Sequence, residues 1–229
     1  MVSANRLKDR RSEFVASEWI MDSGAFTTVT TLGGFPHPPE EYAEQVLRWS
    51  ACGKLLRAVS EDYMCEHFAL EATGKTVTEH QHLTVERYRE LADLCGADLI
   101  MPVLQGRSPA DYVRCLDLYG SVLPFGAWAG VGSLCRRNGS PTEVEAILLA
   151  IHHSRPDLRL HGFGLKLTSL ASGMVRRLLY SSDSLSWSFA ARKQGRDAND
   201  WREAQRFAAR IERQPVQEVF DFVWSPAHG

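Results

Sequence analysis

The stretch Leu99-Ile100-Met101-Pro102-Val103-Leu104-Gln105-Gly106-Arg107-Ser108-Pro109-Ala110-Asp111 holds the organisation of the whole chain in miniature. Leu99 to Leu104 is an apolar run of strand length. Gln105-Gly106 stops it. Ser108-Pro109-Ala110-Asp111 then has capping-box form, with proline at the first helical position. A buried strand, a polar turn and a capped helix, in that order, make one unit of a parallel sheet covered by helices.

The same unit recurs on both sides. Toward the N-terminus, Glu18-Trp19-Ile20-Met21-Asp22 is a short strand ending in the turn-like Ser23-Gly24. Pro38, Pro39 and Glu40 open a helix with Tyr42, Val46 and Trp49 on one face. Leu55 to Val59 reads as a strand ending near Asp62, and Thr84 as the cap of a helix running through Cys95 to Gly96. Toward the C-terminus, a strand is expected from Val122 to Ala129, ending in Gly130-Val131-Gly132. Ser140-Pro141-Thr142-Glu143 caps a helix whose apolar face is Val144, Ile147, Leu148 and Ile151. Strands near Leu158 to Phe163 and from Leu178 toward Asp183 follow, then a helix from Asn199 to Ile211 and an apolar run from Val219 to Trp224. No hairpin signal interrupts the alternation. The six firm strands leave an eight-stranded barrel two short, with 1–17 and 215–224 as the segments that can supply them.

Composition agrees with one globular α/β domain. Of 229 residues, 44% are hydrophobic and 24% charged, which excludes disordered and fibrous classes. No apolar run approaches the roughly 18 residues of a membrane span, and the polar start Met-Val-Ser-Ala-Asn-Arg-Leu-Lys carries no secretory signal. The net charge of −2 argues against a protein that coats nucleic acid, while leaving room for a local basic groove. Five cysteines, at 52, 65, 95, 115 and 135, stand alone with no Cys-x-x-Cys or zinc-type spacing. They read as reduced, mostly buried thiols of a cytoplasmic protein.

Every polar or glycine-rich cluster falls just after a strand, at the edge where barrels and open α/β sheets alike build their sites. Asp22-Ser23-Gly24-Ala25-Phe26 is either an acid holding a polar ligand or an aspartate in ordinary turn chemistry. Glu61-Asp62 and Glu66 crowd carboxylates after the second strand, where one can read a heterocyclic N–H edge or all can be solvated. His67, His80 and His82 are expected in or near the next loop, with His80 and His82 on opposite sides of an extended segment, which argues against a metal. Gln105 can bond a carbonyl and an amine together, and Gly130-Val131-Gly132 lets backbone approach a flat ligand. Gly-x-Gly-x-x-Gly is absent, since Cys135 stands where the third glycine would be. Asp183 is either a carboxylate nucleophile or a helix N-cap. From 189 to 213 seven Lys or Arg face four Asp or Glu, a charge run that is ordinarily a solvated helix face. Arg136-Arg137 falls on the site edge.

Taken in order, Asp22-Ser23-Gly24-Ala25-Phe26, Asp62, Val103-Leu104-Gln105-Gly106, Gly130-Val131-Gly132, His161-Gly162-Phe163-Gly164 and Asp183 resemble the tRNA-guanine transglycosylase superfamily. Asp62-Tyr63-Met64-Cys65-Glu66 and Glu79-His80-Gln81 bring the resemblance closest to its DNA-modifying branch, the DNA 7-deazaguanine transglycosylases. It covers roughly 18–210 and rests on the ordered set, no single motif being specific. The resemblance implies a TIM-type (β/α)8 barrel, shortened or incompletely closed, in a single domain over 1–229. The zinc cluster of the tRNA enzymes has no counterpart here, so no zinc subdomain is expected. It implies guanine in DNA exchanged for a 7-deazaguanine base, preQ0-like, through a covalent aspartyl-nucleoside intermediate, with no metal or redox cofactor.

By position, Asp183 matches the nucleophile and Asp22 the proton-transfer carboxylate. Ser23, Gly24, Phe26, Asp62, Gln105, Gly106, Gly130, Val131, Gly132 and Lys166 match the base pocket. Arg136, Arg137, Arg192 and Arg196 are the candidate DNA-phosphate contacts. A helper protein that opens the duplex stays among the candidate partners, and no membrane is expected. The rival readings are a tRNA enzyme of the same chemistry and a non-catalytic family member that binds nucleic acid or a partner.

Overall fold

A computed structural model describes residues 1–215. The chain runs β1 (Val2–Ser3), α1 (Ala4–Leu7), β2 (Glu18–Asp22), α2 (Ala25–Leu32), α3 (Pro39–Ser50), β3 (Lys54–Val59), α4 (His67–Thr73) and α5 (Val77–Cys95). It continues through β4 (Ile100–Met101), β5 (Val103–Leu104), α6 (Pro109–Tyr119), β6 (Trp128–Val131), α7 (Pro141–Ser154) and β7 (Arg159–Gly162). The last elements are α8 (Leu167–Leu170), α9 (Gly173–Leu178), β8 (Leu179–Ser182), α10 (Ser186–Lys193) and α11 (Trp201–Arg213). The architecture is mixed α/β with two four-stranded parallel sheets, ordered β1-β2-β3-β4 and β5-β6-β7-β8.

The expected Leu99–Leu104 strand is shared between the two sheets. Pro102 has no N–H to give and divides the run. Its carbonyl still accepts from Gly130 N at 2.8 Å. Met101 therefore pairs with Val59 in the first sheet, and Val103 with Gly130 in the second. Among the described residues no strand pairing joins β8 to β1. The expected strand in 1–17 is the two-residue β1, whereas the Val219–Trp224 run lies outside the described residues.

Alternation along the strands sorts their side chains. Trp19, Met21, Ile100, Leu104, Val131 and Leu160 pack outward under the helices, in the core that holds Trp49, Tyr88, Leu91, Ile147 and Leu148. Val59, Met101, Val103 and Trp128 form a separate inner cluster with Ile20, Leu56 and Phe163. Both sheets contribute to that inner cluster.

Three local expectations change. The strand expected at Val122–Ala129 forms at Trp128–Val131, because Pro124 and Gly126 follow a 3₁₀ turn at Gly120–Val122, and Asp157 accepts from Gly126 N. The helix expected from Thr84 starts at Val77, capped by a reciprocal Thr76–Glu79 box. Thr84 is buried inside it, accepting from Tyr63 N at 2.9 Å. His80 and His82 thus sit on α5 rather than in a loop, and His80 is held by Met64 O and Thr73 Oγ1. At α7 proline occupies the first turn as expected, but Ser140 makes no side-chain capping bond. Among the described residues no helix is long and apolar enough to cross a membrane.

Candidate active site

Asp22, Asp62, Gln105 and Asp183 all line one cavity of about 300 Å³ at the carboxyl ends of the strands. Asp22 continues the inward phase of Ile20, Gln105 that of Met101 and Val103, and Gly132 that of Trp128. Asp183 stands two residues beyond Ser181, whose hydroxyl also lies on the inner side against Trp128 and His161.

Gln105 is the hub of the pocket. Its Nε2 donates to Asp62 Oδ2 at 2.5 Å, and its Oε1 accepts from Ser133 Oγ at 3.1 Å. Its backbone carbonyl accepts from Gln81 Nε2. Ser133 has a left-handed backbone (φ 63°), uncommon for a residue with a side chain and the sort of outlier found at ligand sites. Gly132 lies flat under the Gln105 amide, and any Cβ there would collide with it.

Burial is the main electrostatic force in the cavity. It pushes the Asp62 carboxyl up to about 7; the Gln105 bond opposes the rise, while Asp22 and Glu66 add to it. Asp22 is likewise raised, first by burial and then by Asp183, against a lowering contribution from Ser3. Asp183 Oδ1 accepts from Gly164 N at 2.9 Å and lies 3.5 Å from His161 Nε2. Gly164 has φ 64°, and a Cβ there would press on Cys135, so this turn needs glycine. Phe26 and Phe163 supply aromatic surface to the cavity.

Other expected base-pocket residues lie outside the cavity lining, for identifiable reasons. Val131 is out of phase and buried in the outer core. Gly130 is in phase but one layer deeper, where its missing side chain admits the Phe163 ring. Gly106 packs against Asp111 and Tyr112 at the start of α6. Gly24 caps α2 with φ 77°. Ser23 faces a neighbouring cavity of about 350 Å³. Lys166 is exposed, its backbone N–H bonded to Asn138 Oδ1.

Arg136 and Arg137 line a second depression, with Arg107, His67 and Phe68, that shares Glu66 and Ser133 with the main cavity. Arg136 is exposed with its guanidinium 4.9 Å from the Phe68 ring centroid. Arg137 bonds the Ser133 and Arg107 carbonyls. Neither Arg192 nor Arg196 lines either depression; Arg196, three residues past α10, bonds Glu203 of α11 at 2.9 Å.

Sequence reasoning missed Met1, Ser3, Ser133, Cys135 and Leu185 as lining residues. Ser133 and Cys135 follow directly on Gly130-Val131-Gly132, so their neighbourhood was visible. Met1 and Ser3 arrive through β1, which pairs Ser3 with Asp22. Cys135 is the one exposed residue among five free cysteines, and partial desolvation of its thiol where it lines the cavity raises its pKa. Among the described residues, no three His, Cys, Asp or Glu side chains are grouped as a metal site.

A family model described as DpdA, DeoxyPurine in DNA protein A, matches residues 1–223. No curated protein matches the chain.

Proposed function

The chain belongs to the DpdA family, the DNA 7-deazaguanine transglycosylases related to tRNA-guanine transglycosylase, and on that premise we propose that it exchanges guanine in DNA for a 7-deazaguanine base. The observation that carries the reading is the meeting of Asp22, Asp62, Gln105 and Asp183 in one cavity, although they are spread over the chain. The inner cluster shared by both sheets supports a barrel, shortened or open between β8 and β1.

In this reading Asp183 attacks C1′ of the target nucleotide. The C1′–N9 bond breaks, its electron pair leaves with guanine, and the sugar is held as an aspartyl ester. Asp22 gives the departing base its proton; its raised pKa suits that task. The incoming base attacks C1′ from the original face, expels the Asp183 carboxylate and returns a proton to Asp22. Two displacements give retention, as in retaining glycosidases. Asp62 accepts from the N–H edge of the base, and Gln105 fixes the carboxylate's orientation while offering its second N–H. Phe26 and Phe163 provide faces for a base taken out of the stack. Arg136 and Arg107 hold the backbone that the flipped base leaves behind. A preQ0-like base as the incoming partner, and a helper protein that opens the duplex, complete the proposal.

Denaturing electrophoresis of the protein with guanine-containing single-stranded DNA tests it. The wild type is expected to yield a covalent protein–DNA adduct and Asp183→Asn none. Wild-type turnover in a folded Asp183→Asn variant overturns the assignment of the nucleophile.

A further inference from the structure

His161 is buried on β7, within the inner aromatic layer. Its ring packs edge-on against Phe163 and Trp128, at centroid distances of 4.9 and 6.3 Å. Trp128 Nε1, which can only donate, gives its hydrogen to Ser181 Oγ at 2.9 Å. The same oxygen lies 2.9 Å from His161 Nδ1. The other ring nitrogen, Nε2, has no hydrogen-bond partner of good geometry among the described residues and sits 3.5 Å from Asp183 Oδ1.

This chain of contacts restricts the ring. If Ser181 donates to Nδ1, the neutral imidazole carries its hydrogen on Nε2. If the imidazole is protonated, Nε2 carries a hydrogen as well. The remaining tautomer would aim a nitrogen lone pair at a carboxylate and is disfavoured. In both favoured states an N–H faces Asp183. The separation is long for a hydrogen bond, as contacts at unliganded catalytic sites often are before substrate tightens them.

We propose that His161 is a positioning residue for Asp183: with Gly164 N it holds Oδ1, leaves Oδ2 as the attacking oxygen, and favours release of the carboxylate in the second displacement. The inference rests on the transglycosylase reading. When Oδ2 bonds C1′, Oδ1 changes from a carboxylate oxygen to an ester carbonyl, a weaker acceptor. Hydrogen bonds to ionised acceptors are about twice as strong as those to neutral ones. The His161 N–H therefore stabilises free enzyme more than the covalent ester. Without it the ester is favoured and the incoming base displaces Asp183 more slowly.

The test measures covalent adduct with guanine-containing single-stranded DNA, and 7-deazaguanine incorporation in a parallel reaction. His161→Phe keeps an aromatic ring but has no donor. It is expected to raise the adduct-to-free ratio about five- to tenfold while slowing incorporation. His161→Gln, which restores an N–H at similar reach, is expected to bring both toward wild type. A merely structural histidine would lower both signals together, and the glutamine variant would not rescue them. A folded His161→Phe with wild-type adduct and turnover overturns the proposal. If His161→Phe does not fold, Ser181→Ala, which loosens the ring, takes its place: a raised adduct supports the proposal and an unchanged one overturns it. Absence of adduct from the wild type defeats the transglycosylase reading itself, whereas wild-type adduct insensitive to His161 defeats this inference alone.

Discussion

Gln105 Nε2 donates to Asp62 Oδ2 across 2.5 Å, with both side chains buried and 43 positions apart in the chain. A buried carboxylate with one amide partner keeps acceptor capacity unused. In the proposed function the pair offers that capacity to a ligand with N–H donors, and its ionisation then bears on both folding and recognition.

The first prediction concerns stability against pH. Burial raises Asp62 to about 7, and Glu61 also to about 7 despite the Arg87 guanidinium near it. The folded state holds these protons more tightly than the unfolded chain does. Their contribution is fully present below the ordinary carboxylate pKa of about 4 and is lost as pH rises through 7. Melting temperature is expected to fall between pH 5 and pH 8. Asp62→Asn should melt several degrees above wild type at pH 8 and close to it at pH 5, at about 2–4 °C per kcal/mol for a chain of this size. Differential scanning fluorimetry at the two pH values checks this, and a wild-type melting temperature that rises over the interval contradicts it.

Base binding should follow the opposite course. The ionised Asp62 accepts from the base, whereas its protonated form has lost part of that capacity. Affinity for 7-deazaguanine is expected to rise about tenfold from pH 6 to pH 8, since with a pKa of about 7 the ionised fraction of Asp62 climbs from about one-tenth to about nine-tenths. Asp62→Asn should bind weakly with a flat profile. Titration calorimetry separates the cases; a pH-independent wild type would remove Asp62 from base recognition.

How much of this was legible follows from strand phase. Asp22, Gln105, Gly132 and Asp183 were visible because polar residues and glycine stand directly after apolar runs, and all four line the cavity. Val131 and Gly106 were grouped with them by proximity alone; alternation sends Val131 to the outer core, and Gly106 instead packs under α6. The early start of α5 was hidden because its buried face includes His80 and Gln81, polar residues that a hydrophobic pattern does not register. Helix α4 was missed because its seven residues bury only Ala69. The division of one strand between two sheets needed only Pro102, but which neighbour each half joins is a tertiary outcome. The basic residues of 189–213 were legible as charge without their partners, and Glu203 takes both Arg196 and Arg206.

Gly132→Ala tests the support beneath the amide. The added methyl meets the Gln105 carboxamide and must displace it from Asp62. A loss of about 1–3 kcal/mol in stability is expected, as for overpacking of a buried site. Loss of 7-deazaguanine binding should accompany it. Gly139→Ala, where a methyl meets nothing within 4 Å, is the control and should stay within about 0.5 kcal/mol of wild type. Chemical denaturation and base titration on both variants decide; binding retained in Gly132→Ala would mean that the Gln105 amide is not held for the base.

The last prediction assigns the basic edge. Arg136 is exposed beside the cavity, and Arg107 shares its depression. Arg192 is exposed on α10 and does not line the cavity. A phosphate contact contributes to affinity in proportion to the counterions it releases, so losing one lowers the slope of log affinity against log salt by about 0.7 for single strands. Arg136→Ala and Arg107→Ala should each reduce the slope by about that amount and weaken DNA uniformly across sequences. Arg192→Ala should leave the slope unchanged. Arg196→Ala should act on stability instead, because it strips a partner from the buried Glu203. Fluorescence anisotropy over a salt series measures the three slopes and thermal melting the Arg196→Ala effect, and a slope that falls for Arg192→Ala but not for Arg136→Ala would move the DNA path from the β6 edge to α10.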